Sequence, residues 1–212
     1  RGLGIGEMVR YSHLFGLGRP TGIDLPGEDP GLVPDPTWKR LTFGERWTTG
    51  NTYNMSIGQG DVLVTPLQIL NATAAVANGG TLYRPQLVYQ VTDAAGQVVR
   101  DFQPQIIHHL PIKPEHLATV REGLRAAVEW GTAQRANLQE VKVAGKTGTA
   151  EFFDPEIPLD EEGRLPTHAW FTAYAPADAP EIALVVFVYN GGEGSETAVP
   201  IAAEILRWYF TR

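Results

Sequence analysis

The stretch VAGKTGTAEF, residues 143–152, gathers a lysine, two threonine hydroxyls and two glycines into a run suited to holding an anion. Two chemistries compete for it. A phosphate-binding loop needs G-x-x-x-x-G-K-[ST], with backbone N–H groups cradling phosphate at the start of a helix. Counting back from Gly145, its first glycine would fall on Glu140, whose carboxylate repels the anion. The residues after Lys146 are Thr, Gly, Thr, Ala, Glu, Phe and Phe, a run richer in strand formers than a helix start should be. The alternative is a strand at the border of a sheet, against which an extended peptide lies as one more antiparallel strand. Gly148 then removes a side chain that would block the approach.

Composition narrows the partners. The chain has 212 residues, 43% hydrophobic and 19% charged, with a formal net charge of −7. That is enough apolar material for a buried core. No run of Lys or Arg forms the basic stripe that phosphate neutralisation requires, so nucleic acid is excluded as the expected partner. No stretch approaches the ~20 apolar residues of a membrane span. There is no cysteine, which removes disulfides, Cys–zinc sites and thiol nucleophiles. The opening RGLGIGEMVR has neither an initiator Met nor the apolar run of a signal peptide, and the chain is expected to be a piece of something longer.

The elements that must position residues 143–152 come from periodicity and caps. Residues 3–15 read as a short helix ending at Gly16. Residues 16–36, dense in Gly and Pro, read as an irregular ordered surface loop. Residues 37–64 are ambiguous. A second helix starts at Thr65-Pro66 and ends at Asn78-Gly79, with Leu67, Leu70, Ala74 and Ala77 as its apolar face. Residues 81–103 read as two strands joined by the turn Asp93-Ala94-Ala95-Gly96. A third helix runs from Pro114 to Gly131 with the stripe Leu117, Val120, Leu124 and Val128. Strands follow at 141–152, 168–176 and 181–190. The apolar run 182–189 predicts a central strand buried on both faces. A closing helix carries Val199, Ala202, Ile205, Leu206 and Tyr209. The expected class is α/β: an antiparallel sheet flanked by helices.

Four segments then fall in order: GLGRPTGIDLPGE (16–28), MSIGQGDVLVTPLQILNATAAVANGG (55–80), VAGKTGTAE (143–151) and HAWFTAYAP (168–176). Together they closely resemble the transpeptidase domain of class B penicillin-binding proteins of the penicillin-binding protein 2 type, over residues 1 to about 210. The resemblance implies the penicillin-recognising serine transpeptidase and β-lactamase-like fold, with a five-stranded antiparallel sheet. It implies a peptidoglycan D,D-transpeptidase in which a serine attacks the D-Ala–D-Ala bond of a stem peptide and passes the acyl group to an amine, and which β-lactams acylate. In that setting Lys146 supplies positive charge, the hydroxyls of Thr147 and Thr149 bind the terminal carboxylate, Gly148 lets the peptide approach, and the Thr149 N–H enters the oxyanion hole. His168 and Trp170, on the neighbouring strand, are further substrate-binding candidates. No cofactor or metal is implied. A site outside the cytoplasmic membrane, an N-terminal anchor on the parent protein and a SEDS-family glycosyltransferase partner are implied by the resemblance alone.

The family nucleophile lies in S-x-x-K and its second motif in S-x-N or S-x-D. The chain has three serines, Ser12, Ser56 and Ser195, and none has Lys at the third following position or Asn or Asp at the second. Residues 1–212 are therefore expected to be the C-terminal part of one transpeptidase domain, catalytically inert alone, with the N-terminal part of the same domain as its partner. Loss of the serine-bearing helix should leave apolar surface uncovered. A β-lactamase or D,D-carboxypeptidase on the same fold, and a non-catalytic penicillin-recognising module, are the alternatives. The remaining chemistry-bearing residues read more plainly. His108, His109 and His116 lack a zinc-ligand spacing. Gln59 between Gly58 and Gly60 belongs to a tight turn. Asp154, Glu156, Asp160, Glu161 and Glu162 sit in a solvated loop, of a length that can form a lid.

Overall fold

A computed structural model describes residues 2–212. Helix α1 (Gly4–Leu14) stops where Gly16 turns into the left-handed region at φ +86°. Residues 16–36 form no regular element, as Pro and Gly require, but they are more than a surface excursion: Val33 and Pro34 are buried. The Glu28 carboxylate staples this segment by accepting from the Thr21 N–H (2.7 Å), the Thr21 hydroxyl (2.5 Å) and the Gly22 N–H (3.0 Å). Gly31, at φ +63°, lets the chain approach Leu63, where Leu32 and Leu63 exchange backbone hydrogen bonds of 2.7 and 3.0 Å.

The ambiguous stretch contains two short helices, α2 (Pro36–Phe43), capped by Asp35, and α3 (Thr49–Ser56), with a Thr48/Asn51 capping box. Helix α4 (Pro66–Ala77) starts from the same kind of box, Thr65 with Gln68. Its inner face matches the predicted one only at Ala77. Leu67, Leu70 and Ala74 are only half-buried, whereas Gln68, Thr73, Ala75 and Ala77 are buried. Gln68 tolerates this because its amide donates to the carbonyls of Arg19 (2.9 Å) and Pro30 (2.8 Å) while its oxygen accepts from the Thr65 N–H (2.9 Å).

Four short strands follow. β1 (Thr81–Tyr83) pairs with β4 (Ile106–His109), and β2 (Val91–Thr92) pairs with β3 (Val98–Arg100) around the predicted turn at residues 93–96. The run 81–103 is thus three strands rather than two, and its first strand takes a partner from beyond it. Helix α5 (Pro114–Glu129) buries Leu117 and Val128 but leaves Val120 exposed.

The main sheet joins β5 (Ala144–Glu151), β6 (Thr167–Ala175) and β7 (Ile182–Val188), antiparallel in the order β5-β6-β7. Helix α6 (Ala198–Thr211) and a 3-10 turn at Gln134–Ala136 cover one face, with Val199 and Leu206 packed in the same core as Phe171 and Val186; α4 and α5 lie on the other, over Ala144 and Tyr174. On α6 the inward residues are Ala198, Val199, Ala202, Ala203 and Leu206, while Ile205 faces out. Among the described residues the sheet has three strands, part of the five that the resemblance gives the complete fold. The apolar β7, expected to be central, lies at the border of these three, with Phe187 exposed. An apolar run records what a strand packs against and does not reveal which strands pair beside it.

Candidate functional site

Among the described residues β5 pairs on one side only, with β6, so its other edge is open. The K-T-G-T residues occupy the middle of that edge, with Gly148 opposite Trp170, Thr149 opposite Ala169 and Ala150 opposite His168. Alternation puts Lys146 and Gly148 on the face toward α4 and α5, and Thr147 and Thr149 on the face toward α6. The Lys146 ammonium donates to the Thr147 carbonyl at 2.7 Å, and the Gln59 amide to the Thr149 carbonyl at 3.2 Å. These two carbonyls therefore turn away from β6. In an antiparallel strand the N–H of a residue points with its C=O, so the Thr149 N–H also faces the open edge.

The glycines here have separate reasons. A Cβ on Gly145 would meet the Phe171 ring at 2.6 Å and the Thr172 carbonyl at 2.7 Å, so this position must stay bare for the sheet to pack. A Cβ on Gly148 would sit 3.1 Å from the Trp170 Cβ, against the cleft wall. Gly194 lies over the carbonyls of Gly148 and Trp170, where a Cβ would come within 2.3 and 2.5 Å, and this lets the loop after β7 rest on the strand.

Both threonine hydroxyls already have partners. Thr147 Oγ1 is 2.7 Å from Thr132 Oγ1, on the connection after α5. Thr149 Oγ1 donates to Glu193 Oε2 at 2.8 Å and accepts from the Gly194 N–H at 3.3 Å. Lys146 has no carboxylate partner among the described residues. Its charge is available to a ligand.

Trp170 packs against Phe187 with ring centroids 4.5 Å apart. His168 stacks on Phe152 at 3.8 Å with planes 9° apart, and Tyr189 lies 4.9 Å away. Its Nδ1 accepts from the Asn190 N–H at 3.3 Å, and burial under these rings holds its pKa below the ordinary imidazole value. His168 is thus tied into an aromatic cluster at the far end of the strand pair from Lys146. In the acidic loop, the Tyr189 hydroxyl donates to Asp154 (2.6 Å) and, with the Glu156 N–H, keeps that carboxylate below its usual range. The two strand histidines go elsewhere: His108 Nε2 contacts the Leu14 carbonyl and His109 Nδ1 the Thr81 hydroxyl.

Beside the edge strand an open apolar groove of about 220 Å³ runs between α4 and α5, walled by Ile69, Val76, Val120 and Leu124, with Gly145 and Thr172 in its floor. Thr132, Glu193 and Gly194 escape sequence reasoning because no spacing links them to residues 146–149. Gln59 is visible only as part of a turn, although the flanking G-x-G hints that its side chain is aimed.

An open-edged strand bearing K-T-G-T, on an antiparallel sheet sandwiched by helices, marks the serine acyl-transfer enzymes that recognise penicillin. The chain belongs to the family described as penicillin binding protein transpeptidase domain, whose match spans residues 1–207. It is similar to peptidoglycan D,D-transpeptidase MrdA of Acinetobacter baumannii, at 35% identity over 99% of this chain and 32% of that protein. It also resembles the structure of Pseudomonas aeruginosa PBP2 in complex with WCK 5153, with a TM-score of 0.80 and 32% identity over 99% of this chain and 45% of that one. A chain from a peptidoglycan synthase complex that coordinates polymerization and crosslinking aligns with a TM-score of 0.79 and 35% identity, over 97% of this chain and 33% of its own length. The chain thus spans about a third of the length of the curated relatives it matches.

Proposed function

We propose that residues 1–212 are the C-terminal part of a peptidoglycan D,D-transpeptidase domain, and that they bind the D-Ala-D-Ala end of a stem peptide, or a β-lactam, along β5. The observation that carries this reading is the open edge at Thr149. Its N–H and C=O face outward, two threonine hydroxyls line one side, and the Lys146 ammonium, without a carboxylate partner among the described residues, stands beside them.

The chemistry follows from those groups. A serine hydroxyl, supplied by the rest of the domain, attacks the carbonyl of the penultimate D-Ala. The tetrahedral oxyanion receives a hydrogen bond from the Thr149 N–H; one such donor contributes a factor of about 10²–10³ in rate. Collapse expels D-alanine and leaves an acyl-serine, which an amine of a neighbouring strand attacks in turn. Lys146 lowers the cost of bringing the peptide carboxylate to the site, Thr147 and Thr149 hydrogen-bond it, Gly148 admits the peptide backbone, and Trp170 walls the cleft. His168 stands at the end where the peptide would leave the strand.

The 220 Å³ groove and the unflanked β7 border support the missing-part reading, since both expose apolar surface beside the sheet. The serine-bearing helix would fill the groove, and further strands would flank β7. By likeness to its relatives, the complete protein works outside the cytoplasmic membrane, anchored by an N-terminal helix and partnered by a SEDS-family glycosyltransferase.

Mixing the chain with the N-terminal part of the domain and adding a fluorescent penicillin tests this. A covalent adduct formed by the mixture and by neither part alone is expected; its absence under conditions where the two parts associate would refute the reading. Sustained penicillin hydrolysis by the mixture would favour a β-lactamase or carboxypeptidase instead.

A further inference from the structure

Thr149 is engaged by the Gly194 N–H and by two side chains, and those two side chains have the chemistry of a peptide terminus. Gln59 brings an amide N–H to the Thr149 carbonyl at 3.2 Å, and Glu193 brings a carboxylate to the Thr149 hydroxyl at 2.8 Å. These are the donor and the acceptor that an acyl-D-Ala-D-Ala ligand would present to an edge strand. Each is delivered by a glycine-built turn. Gly58 and Gly60, at φ +75° and +76°, flank Gln59; Gly192, at φ +72°, and the close-packed Gly194 flank Glu193.

Both contacts are built to be released. Among the described residues, Thr149 is the sole hydrogen-bond partner of the Gln59 side chain and of the Glu193 carboxylate, and Glu193 has no salt bridge. Glu193 is exposed, so a rotamer change returns its charge to water at little cost. The Gln59 contact is half-buried and single, so its release gives up one hydrogen bond that an incoming peptide N–H can replace.

We propose that Gln59 and Glu193 form an internal surrogate for the ligand terminus, which an incoming peptide displaces from Thr149. The inference rests on the binding reading above and adds a specificity rule to it. Glu193 penalises a ligand carboxylate, because the carboxylate must replace a like charge at the same hydroxyl. Gln59 penalises any ligand that offers an N–H to the Thr149 carbonyl, whatever its charge.

The test titrates the 212-residue chain with diacetyl-L-Lys-D-Ala-D-Ala and with its C-terminal carboxamide, following the backbone amide resonances of Gly148, Thr149 and Ala150. Glu193→Gln is expected to tighten the carboxylate peptide roughly three- to tenfold and to leave the carboxamide unchanged. Gln59→Ala should tighten both peptides by similar factors. In a Thr149→Val background the effect of Glu193→Gln should vanish. Binding of the carboxylate peptide that Glu193→Gln leaves unchanged or weakens would overturn the surrogate while sparing the binding reading. Resonances that move with neither peptide in any variant would overturn the binding reading, and the surrogate with it.

Discussion

Thr132 holds Thr147: their hydroxyl oxygens lie 2.7 Å apart, joining the connection after α5 to the edge strand. Thr147 keeps a proton or a lone pair for a ligand, but its rotamer is set by Thr132. Thr132→Val should cost at most about 1 kcal/mol in urea unfolding, as for one partly exposed hydrogen bond. In the reconstituted domain it should slow penicillin acylation by roughly three- to tenfold, and Thr132→Ser should restore the rate. Equal rates for all three proteins would show that Thr147 needs no positioning.

Gly145 and Gly148 should differ sharply on substitution. Gly145→Ala drives a methyl into the Thr172 carbonyl and the Phe171 ring, neither of which can retreat within a packed sheet, and should cost about 1–3 kcal/mol or prevent folding. Gly148→Ala asks only for a shift of a few tenths of an ångström by the partly exposed Trp170, and should leave the chain folded with peptide binding weakened. Thermal melts of both variants check the contrast.

His168 should make the fold acid-sensitive. Burial lowers its folded pKa below 6.5, so its contribution to stability is intact above that value. As pH falls below 6.5 the unfolded chain takes up a proton that the folded chain resists, and stability declines until the folded pKa is passed. His168→Phe keeps an aromatic ring over Phe152 and should flatten the difference in unfolding free energy between about pH 7 and about pH 5.

Glu28 should give a second acid limb at lower pH. Burial pushes its pKa up, but hydrogen bonds from the Thr21 hydroxyl and the N–H groups of Thr21, Gly22 and Ile23 outweigh this, leaving the net shift below 4.5. Its contribution is present above 4.5 and lost as pH falls through the lowered value. Glu28→Gln should cost about 1 kcal/mol at neutral pH and remove that limb, read by urea denaturation across the acid range.

Val120 tests the groove. It is 49% exposed on α5, so Val120→Asp should change the melting temperature of the isolated chain little. If the serine-bearing helix fills the groove, the same substitution buries a charge there and should abolish association with the N-terminal part. Unchanged association would place that helix elsewhere.

Helices α4 and α5 announced themselves through Thr65-Pro66, Asn78-Gly79 and Pro114, because capping and Pro geometry act within one turn of chain. The strand nature of residues 144–151 and the absence of any S-x-x-K were equally legible, being matters of residue type at short spacing. The buried face of α4 was not, because periodicity counts apolar residues and cannot foresee that Gln68 finds carbonyls at Arg19 and Pro30. That β7 borders the three strands of this chain was not legible either, because an apolar run records what a strand packs against, not which strands pair beside it.

By itself, then, the amino-acid order showed the helices α1, α4, α5 and α6, the strands β5 to β7 and the K-T-G-T run on β5, while α2 and α3 stayed hidden in an ambiguous stretch. Only the tertiary structure decided what meets that run. Gln59 and Glu193 reach Thr149 across 90 and 44 residues of chain. Local propensity acts over a few neighbouring residues, whereas contacts at such separations exist only once the sheet has formed and the glycine turns have brought distant loops onto its edge.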